Sequence, residues 1–193
     1  MFDSMTYNLY NKAGVAASNT HWLQLRGSDS AQEFGANQYE GDFWGLYLSV
    51  EHPDGSFLDN HGLPDGNLYK IENDEGDLDN LSRNGPADGS DFEHFHYAYT
   101  YTVPTAEWWR ANFDLDNYYS FRSILEFTHD YDVNQGKNYY FFHNDDTNKW
   151  MILPWDKDLT WHIAMPGTGV EPIVNHLIPQ PEFNLEYQNS LRE

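Results

Sequence analysis

Residues 129–158 decide the interpretation of this chain, and they read HDYDVNQGKNYYFFHNDDTNKWMILPWDKD. Two apolar, aromatic runs flank the polar turn 144–148, which predicts a β-hairpin. In an antiparallel hairpin the start of the first strand lies beside the end of the second. Asn138 is therefore expected close to Asp156, and Asp132 in the preceding loop can reach the same place. The pattern predicts one amide and several carboxylates at one end of a hairpin.

This set of groups suits metal-assisted phosphoryl transfer. Mg²⁺ in such sites takes one or two carboxylates together with substrate phosphates, and a further carboxylate orients the attacking hydroxyl. Protein kinases present these groups in the order catalytic Asp, Asn, then metal-binding Asp. Asp132, Asn138 and Asp156 follow that order. The distance from Asp132 to Asn138 is one residue longer than in the kinase motif, and Lys137 occupies the motif's asparagine position.

A kinase site also needs a lysine on an upstream strand that binds the nucleotide phosphates. Lys70 is the natural candidate, because it lies in the predicted strand 68–71 and the chain has only 10 Lys and Arg residues. Its expected acidic partner is Glu51, at the end of the predicted strand 43–51. The alternative interpretation is that Lys70 is an exposed, solvated strand residue.

Composition limits the possible functions. The chain has 193 residues, which suits one domain or two small lobes, and 17% of them are aromatic, enough to build a core. Acidic residues outnumber basic ones 31 to 10, and the net charge of −21 argues against nucleic acid and anionic membranes as main partners. No apolar stretch is long enough to span a membrane. The absence of cysteine excludes disulfides, zinc–thiolate sites and cysteine nucleophiles.

The remaining elements indicate an α+β protein. A helix is expected at the start, with Phe2, Met5 and Leu9 on one face and a stop at Gly14. Strands are expected at 22–26 and 43–51, the second with Leu46, Leu48 and Val50 towards the core. The stretch 73–91 is typical of a loop, and His94 and His96 are typical of a polar strand face. After Pro104 the pattern becomes helical, with Asp114 as the cap of a helix near 115–127 and a last helix from Phe183.

Several motifs in this order resemble the CotH kinase family, an atypical protein kinase family related to spore coat protein CotH. They are Gln38–Glu51, Gly66-Asn67-Leu68-Tyr69-Lys70, Asp114-Leu115-Asp116-Asn117, Asn138-Tyr139-Tyr140 and Pro154-Trp155-Asp156-Lys157-Asp158-Leu159-Thr160. The resemblance covers most of the chain.

The resemblance implies a two-lobed, protein-kinase-like fold that uses ATP with Mg²⁺ or Mn²⁺ and phosphorylates Ser or Thr of a coat, secreted or cell-surface protein. By motif, Asp132 would be catalytic, and Asn138 and Asp156 would bind the metal. Asp158 would be a possible third metal ligand. Lys70 would bind the phosphates of the nucleotide, with Glu51 as its acidic partner. Asp130 stays open as an alternative to Asp132.

The resemblance also implies that the chain is one CotH kinase-like domain truncated at both ends. Residues 1–103 would form a partial small lobe, and residues 104–193 a large lobe with the active-site hairpin. Arg26-Gly27-Ser28 resembles a motif of the small lobe but lies too close to Gln38 to be its equivalent. Two rival functions remain: a non-catalytic surface or scaffold module, with carbohydrate as a candidate ligand, and a glycosidase with a carboxylate pair. The matching Asn138 and Lys70 disfavour the glycosidase.

Overall fold

The computed structural model describes residues 2–26, 43–134, 136–162 and 169–192. Within them the chain forms six strands and seven α-helices, which confirms the α+β class. The strands are β1 (Thr20–Arg26), β2 (Phe43–Val50), β3 (Gly66–Glu72), β4 (Glu75–Asn80), β5 (Tyr139–Asn144) and β6 (Lys149–Pro154). The helices are α1 (Phe2–Lys12), α2 (Gly55–Asn60), α3 (Ser90–Tyr101), α4 (Ala106–Asn112), α5 (Leu115–Thr128), α6 (Val174–Leu177) and α7 (Pro181–Ser190).

The central sheet has four antiparallel strands in the order β4-β3-β5-β6. The predicted hairpin is confirmed as β5 and β6, which pair from Tyr139 opposite Pro154 to Asn144 opposite Lys149. On its other side β5 pairs with β3, so that Lys70 lies opposite Tyr140. Strands from both sides of residue 103 therefore share one sheet, and the division into two lobes stays a prediction.

The hairpin is apolar throughout because both faces of the sheet are covered. Along β5, Tyr139 and Phe141 enter a large core that also contains residues of α1, α3, α4 and α5. Tyr140 and Phe142 point to the other face, where they meet Phe57 of α2 in a smaller core. Lys70 shares this second face with Tyr140, since directly paired residues project to the same side.

Helix α5 precedes the loop that leads into the hairpin, and its first turn is hydrogen-bonded to β6. Its cap is Asp114, as predicted, which accepts a hydrogen bond from the backbone of Asn117 at 3.0 Å. The Asn117 side chain in turn accepts from the backbone N–H of Ile152 at 2.9 Å, and the N–H of Asp114 donates to the Trp150 carbonyl at 2.8 Å. These bonds fasten the start of α5 to the free edge of β6.

The core face predicted for β2 is confirmed only in part. Val50 packs against the large core and Leu48 is half-buried, but Leu46 is 61% exposed, in a separate two-stranded sheet of β1 and β2. In α1 the shared face of Phe2, Met5 and Leu9 is not the buried one, because the buried side chains are Thr6, Tyr7 and Tyr10. Residues 38–42 and 27–28 of the motifs quoted above lie outside the described residues.

The expected loop 73–91 is also wrong in part. Strand β4 lies inside it, with an alternation of exposed and half-buried residues. His94 and His96 belong to helix α3, which begins at Ser90, so the helical character starts before Pro104. Among the described residues no helix is long and apolar enough to cross a bilayer.

Candidate active site

The loop between α5 and β5 brings Asp132 and Asn138 together. Helix α5 ends at His129 in the left-handed conformation, a short 3₁₀ turn follows, and Asn138 is itself left-handed at φ 65°. The Asn138 amide nitrogen donates to Asp132 Oδ2 at 2.8 Å and to the Asp132 carbonyl at 3.1 Å. In this loop conformation the amide nitrogen of Asn138 is already used as a donor to Asp132. The amide oxygen remains available to bind a metal ion.

The hairpin brings Asp156 to the same end. The backbone N–H of Trp155 donates to the Asn138 carbonyl at 3.1 Å, one residue before Asp156, which is left-handed at φ 52°. Desolvation by the surrounding protein and then the Asp158 carboxylate raise the pKa of Asp156, while the Lys157 ammonium lowers it and Asp132 raises it further. The carboxylates of Asp132 and Asp158 therefore lie close enough to act electrostatically on Asp156, and the side chains of Asp156 and Asp158 both reach solvent.

Helix α1 lies against this group of acids. Asp3 adds to the raised pKa of Asp156. Tyr7 is buried beside Asp156, and both the backbone and the carboxylate of Asp156 influence the Tyr7 hydroxyl, whose pKa burial raises. The start of the chain thus closes one side of the site.

A buried ion pair joins the two loops of the site, and the sequence interpretation did not assign it a role. Lys157 is fully buried, and its ammonium donates to Asp130 Oδ2 at 2.7 Å and to the Asn138 carbonyl at 3.0 Å. Tyr10 of α1 donates to the same Asp130 oxygen at 3.2 Å. The signal was present in the sequence, since a lysine stands between the two aspartates of Pro154–Asp158.

Asp130 and Asp132 differ in exposure and in their partners. Asp130 is 1% exposed and is held by Lys157 and Tyr10. Asp132 is 19% exposed at its side chain. Its Oδ1 lies 3.0 Å from the ammonium of Lys137, which is 31% exposed. Of the two carboxylates, Asp132 is the more accessible to solvent.

Lys70 and Glu51 are not brought together. Glu51 accepts hydrogen bonds from the backbone and side chain of Asn19, both at 2.9 Å, and from Asn60 at 2.6 Å, and it pairs with His61 at 3.1 Å. Burial alone would raise the pKa of Glu51, but the bonds from Asn19, Asn60 and His61 outweigh it and lower the pKa. Lys70 is half-buried between Tyr140 and Asp77 of the adjoining strands.

The donors at the end of the hairpin fit a hard divalent cation. In the part of the chain that the structure describes, no group of three or more His, Cys, Asp or Glu has the geometry of a metal site. A kinase-type ion does not require such a group, because substrate phosphates and water complete its shell. The available donors here are oxygens, from the Asp156 and Asp158 carboxylates and the Asn138 amide, which is the set that Mg²⁺ and Mn²⁺ prefer.

Comparison with known proteins places the chain in a family. The chain is similar to the inner spore coat protein H of Bacillus subtilis (strain 168), with 23% identity over 190 residues. The match covers 83% of this chain and 52% of that protein, so the chain spans about half the length of this curated relative. The profile of the CotH kinase protein family matches residues 1–191. The chain therefore belongs to the CotH kinase protein family.

Proposed function

We propose that this domain is a protein kinase that transfers the γ-phosphoryl group of ATP to a Ser or Thr hydroxyl of another protein. The observation that carries the proposal is the contact of Asn138 with Asp132 at 2.8 Å, beside the loop that holds Asp156. An amide and two carboxylates in this arrangement match the parts that a kinase uses to orient the hydroxyl and to hold a metal.

In the proposed reaction Asp132 orients the acceptor hydroxyl. The hydroxyl oxygen forms a bond to the γ-phosphorus, and the bond from that phosphorus to the β–γ bridging oxygen breaks. ADP leaves with the electron pair of the broken bond, and the hydroxyl proton passes to Asp132 and then to water. The products are a phosphorylated Ser or Thr, ADP and a proton.

Asn138 and Asp156 would hold the divalent metal, with Asp158 as a possible third ligand. When bound, the metal neutralises charge on the phosphates. The buried pair of Lys157 and Asp130 supports this arrangement, because it ties the loop of Asp132 to the loop of Asp156. The backbone that carries the two proposed metal-binding side chains is thereby held in place.

The relative in Bacillus subtilis is named as an inner spore coat protein. We infer from this likeness that the acceptor is a protein of the spore coat or the cell surface, and that the domain acts there.

A second candidate function is a binding module that has kept the fold without the activity. One observation favours it: Glu51 is engaged by Asn19, Asn60 and His61 instead of Lys70. In an active kinase the phosphate-binding lysine pairs with a glutamate. The two candidates differ in whether bound ATP is turned over.

A phosphoryl-transfer assay separates them. The wild type is incubated with γ-labelled ATP, Mg²⁺ or Mn²⁺, and casein as an acceptor, and both the acceptor and the chain itself are analysed for label. We expect Asp132→Asn to reduce the rate by about a hundredfold or more, as removal of a catalytic carboxylate does. Asp146→Asn, an exposed carboxylate in the turn at the far end of the same hairpin, is the control and should keep the full rate. ATP binding without any transfer by a folded wild type would favour the binding module.

A further inference from the structure

Lys137 holds one oxygen of the proposed catalytic carboxylate. Its ammonium lies 3.0 Å from Asp132 Oδ1, and the Asn138 amide occupies Oδ2 at 2.8 Å. Both oxygens of Asp132 are therefore engaged by residues of its own loop. A carboxylate oxygen can accept more than one hydrogen bond, but each partner occupies part of the space around Asp132, so an acceptor hydroxyl gains better access once one of the two contacts opens.

The Asn138 contact is the less suited to opening. Asn138 is 6% exposed, and its backbone carbonyl is fixed by Trp155 and Lys157. Lys137 has a flexible side chain that is 31% exposed, so it can leave Asp132 without disturbing the packing.

The negative charge of bound ATP would attract the Lys137 ammonium away from Asp132. The site carries the carboxylates of Asp132, Asp156 and Asp158, which repel a triphosphate. Lys157 is fully buried and bonded to Asp130, so it cannot reach a ligand. Among the described residues, Lys137 is the partly exposed cation that contacts a carboxylate of the proposed site. The terminal phosphate of ATP carries more negative charge than one carboxylate whose other oxygen is already bonded to Asn138, so it attracts an ammonium more strongly.

We propose that Lys137 is a catalytic residue that moves from Asp132 to the γ-phosphoryl group when ATP binds. This inference rests on the proposed function. The move frees Asp132 Oδ1 for the acceptor hydroxyl and places a positive charge on the group being transferred. In the transfer the hydroxyl oxygen bonds to the γ-phosphorus, ADP departs with the electrons of the broken P–O bond, and the proton goes to Asp132. The ammonium keeps its own protons throughout and stabilises the charge that develops on the phosphoryl oxygens.

This role of Lys137 would explain the extra residue between Asp132 and Asn138. The kinase motif has its asparagine where this chain has Lys137. The displaced Asn138 still reaches Asp132, and the additional position carries the cation. Lys137 would then supply a phosphate contact of its own, in a chain where Glu51 pairs with His61 instead of the proposed phosphate-binding Lys70.

Comparison of ATP with ADP tests the inference, because only ATP carries the γ-phosphate. Both nucleotides are titrated with Mg²⁺ into the wild type, Lys137→Met and Lys137→Gln by calorimetry. We expect each variant to lose about tenfold to a hundredfold in affinity for ATP and less than about threefold for ADP, the range of one charge-assisted contact. Lys137→Arg should recover most of the ATP affinity. Lys149→Met, at the far end of the hairpin, is the control and should bind both nucleotides as the wild type does.

The outcomes are distinct. Selective loss of ATP affinity supports the role of Lys137. Equal affinities for ATP in the wild type and the variants, or an equal loss for ATP and ADP, would overturn it while leaving the proposed kinase function intact. A folded wild type that binds neither nucleotide would reject the proposed function and this inference with it.

Discussion

Lys157 and Asp130 carry opposite charges at positions that water does not reach. Removing two charges from water is costly, and the cost is offset only when the pair is close and its remaining bonds are satisfied. Here the ammonium has a second acceptor in the Asn138 carbonyl, and the carboxylate has a second donor in Tyr10. The pair thus holds the backbone of Asn138 beside Asp156, and its role is to position these two residues.

Replacing Lys157 alone should be severe. Lys157→Met leaves Asp130 as a buried, uncompensated charge, and we expect the free energy of unfolding to fall by about 3–5 kcal/mol. In the double variant Asp130→Asn with Lys157→Met no charge remains, so the loss should be smaller than in Lys157→Met alone. Urea unfolding of the wild type and the variants measures both. A double variant less stable than the single one would show that the ion pair is not what these residues contribute.

The residues of the site were predictable from sequence to different degrees. Asn138 and Asp156 could be placed together because hairpin geometry alone determines that the start of β5 and the end of β6 are adjacent. Asp132 could be placed only as a residue of the preceding loop that can reach the same point. The partner of Lys70 could not be placed, because Glu51 follows a separate two-stranded sheet and meets side chains from distant loops. The sequence also could not show that Asp130 is the more buried of the two aspartates, because its burial depends on contacts with Tyr10 and Lys157 that form only in the folded protein.

At the scale of elements, the hairpin depends on α5. Strand β6 is the edge of the four-stranded sheet, and an unpaired edge leaves backbone donors without partners. The Asn117 side chain supplies an acceptor for the buried N–H of Ile152, and the Asp114 N–H supplies a donor for the Trp150 carbonyl. The first turn of α5 therefore completes the edge, and the same helix ends at the loop that carries Asp132.

Asn117→Ala tests this connection. It leaves the Ile152 N–H buried without an acceptor, which should cost about 1–3 kcal/mol of stability and accelerate hydrogen exchange of the β6 amides. Ser120→Ala, one turn later on the same helix, is the matched control and should change stability by less than about 0.5 kcal/mol. Equal effects of the two substitutions would contradict a special role for Asn117 at the edge of the sheet.

Helices and strands were predicted correctly where the local sequence pattern favours the same structure as the packing of the folded protein. The hairpin and α5 have strong apolar periodicity and clear turn or cap residues, so they were found with their ends nearly correct. Strand β4 was missed because its sequence, Glu75–Asn80, is acidic and contains glycine, both typical of loops. It is a strand because it pairs with β3 at the edge of the sheet. Helix α3 was misread because its aromatic and histidine residues alternate over a short stretch.

At the scale of the whole molecule, a net charge of −21 governs how a nucleotide can bind. A protein with this charge repels a polyphosphate at long range, and the proposed site adds Asp132, Asp156 and Asp158 at short range. Divalent cations remove this repulsion when they bind between the carboxylates and the phosphates. We therefore expect ATP binding to depend on the metal.

Calorimetric titration of ATP, with and without Mg²⁺, tests the central claim most directly when it is applied to the wild type, Asp156→Asn and the control Asp146→Asn. The account predicts that the wild type and the control bind ATP with Mg²⁺ and lose measurable binding without it, and that Asp156→Asn binds at least about tenfold more weakly with Mg²⁺. ATP binding that is the same with and without Mg²⁺, or unchanged in Asp156→Asn, would contradict a metal–nucleotide site at the end of this hairpin.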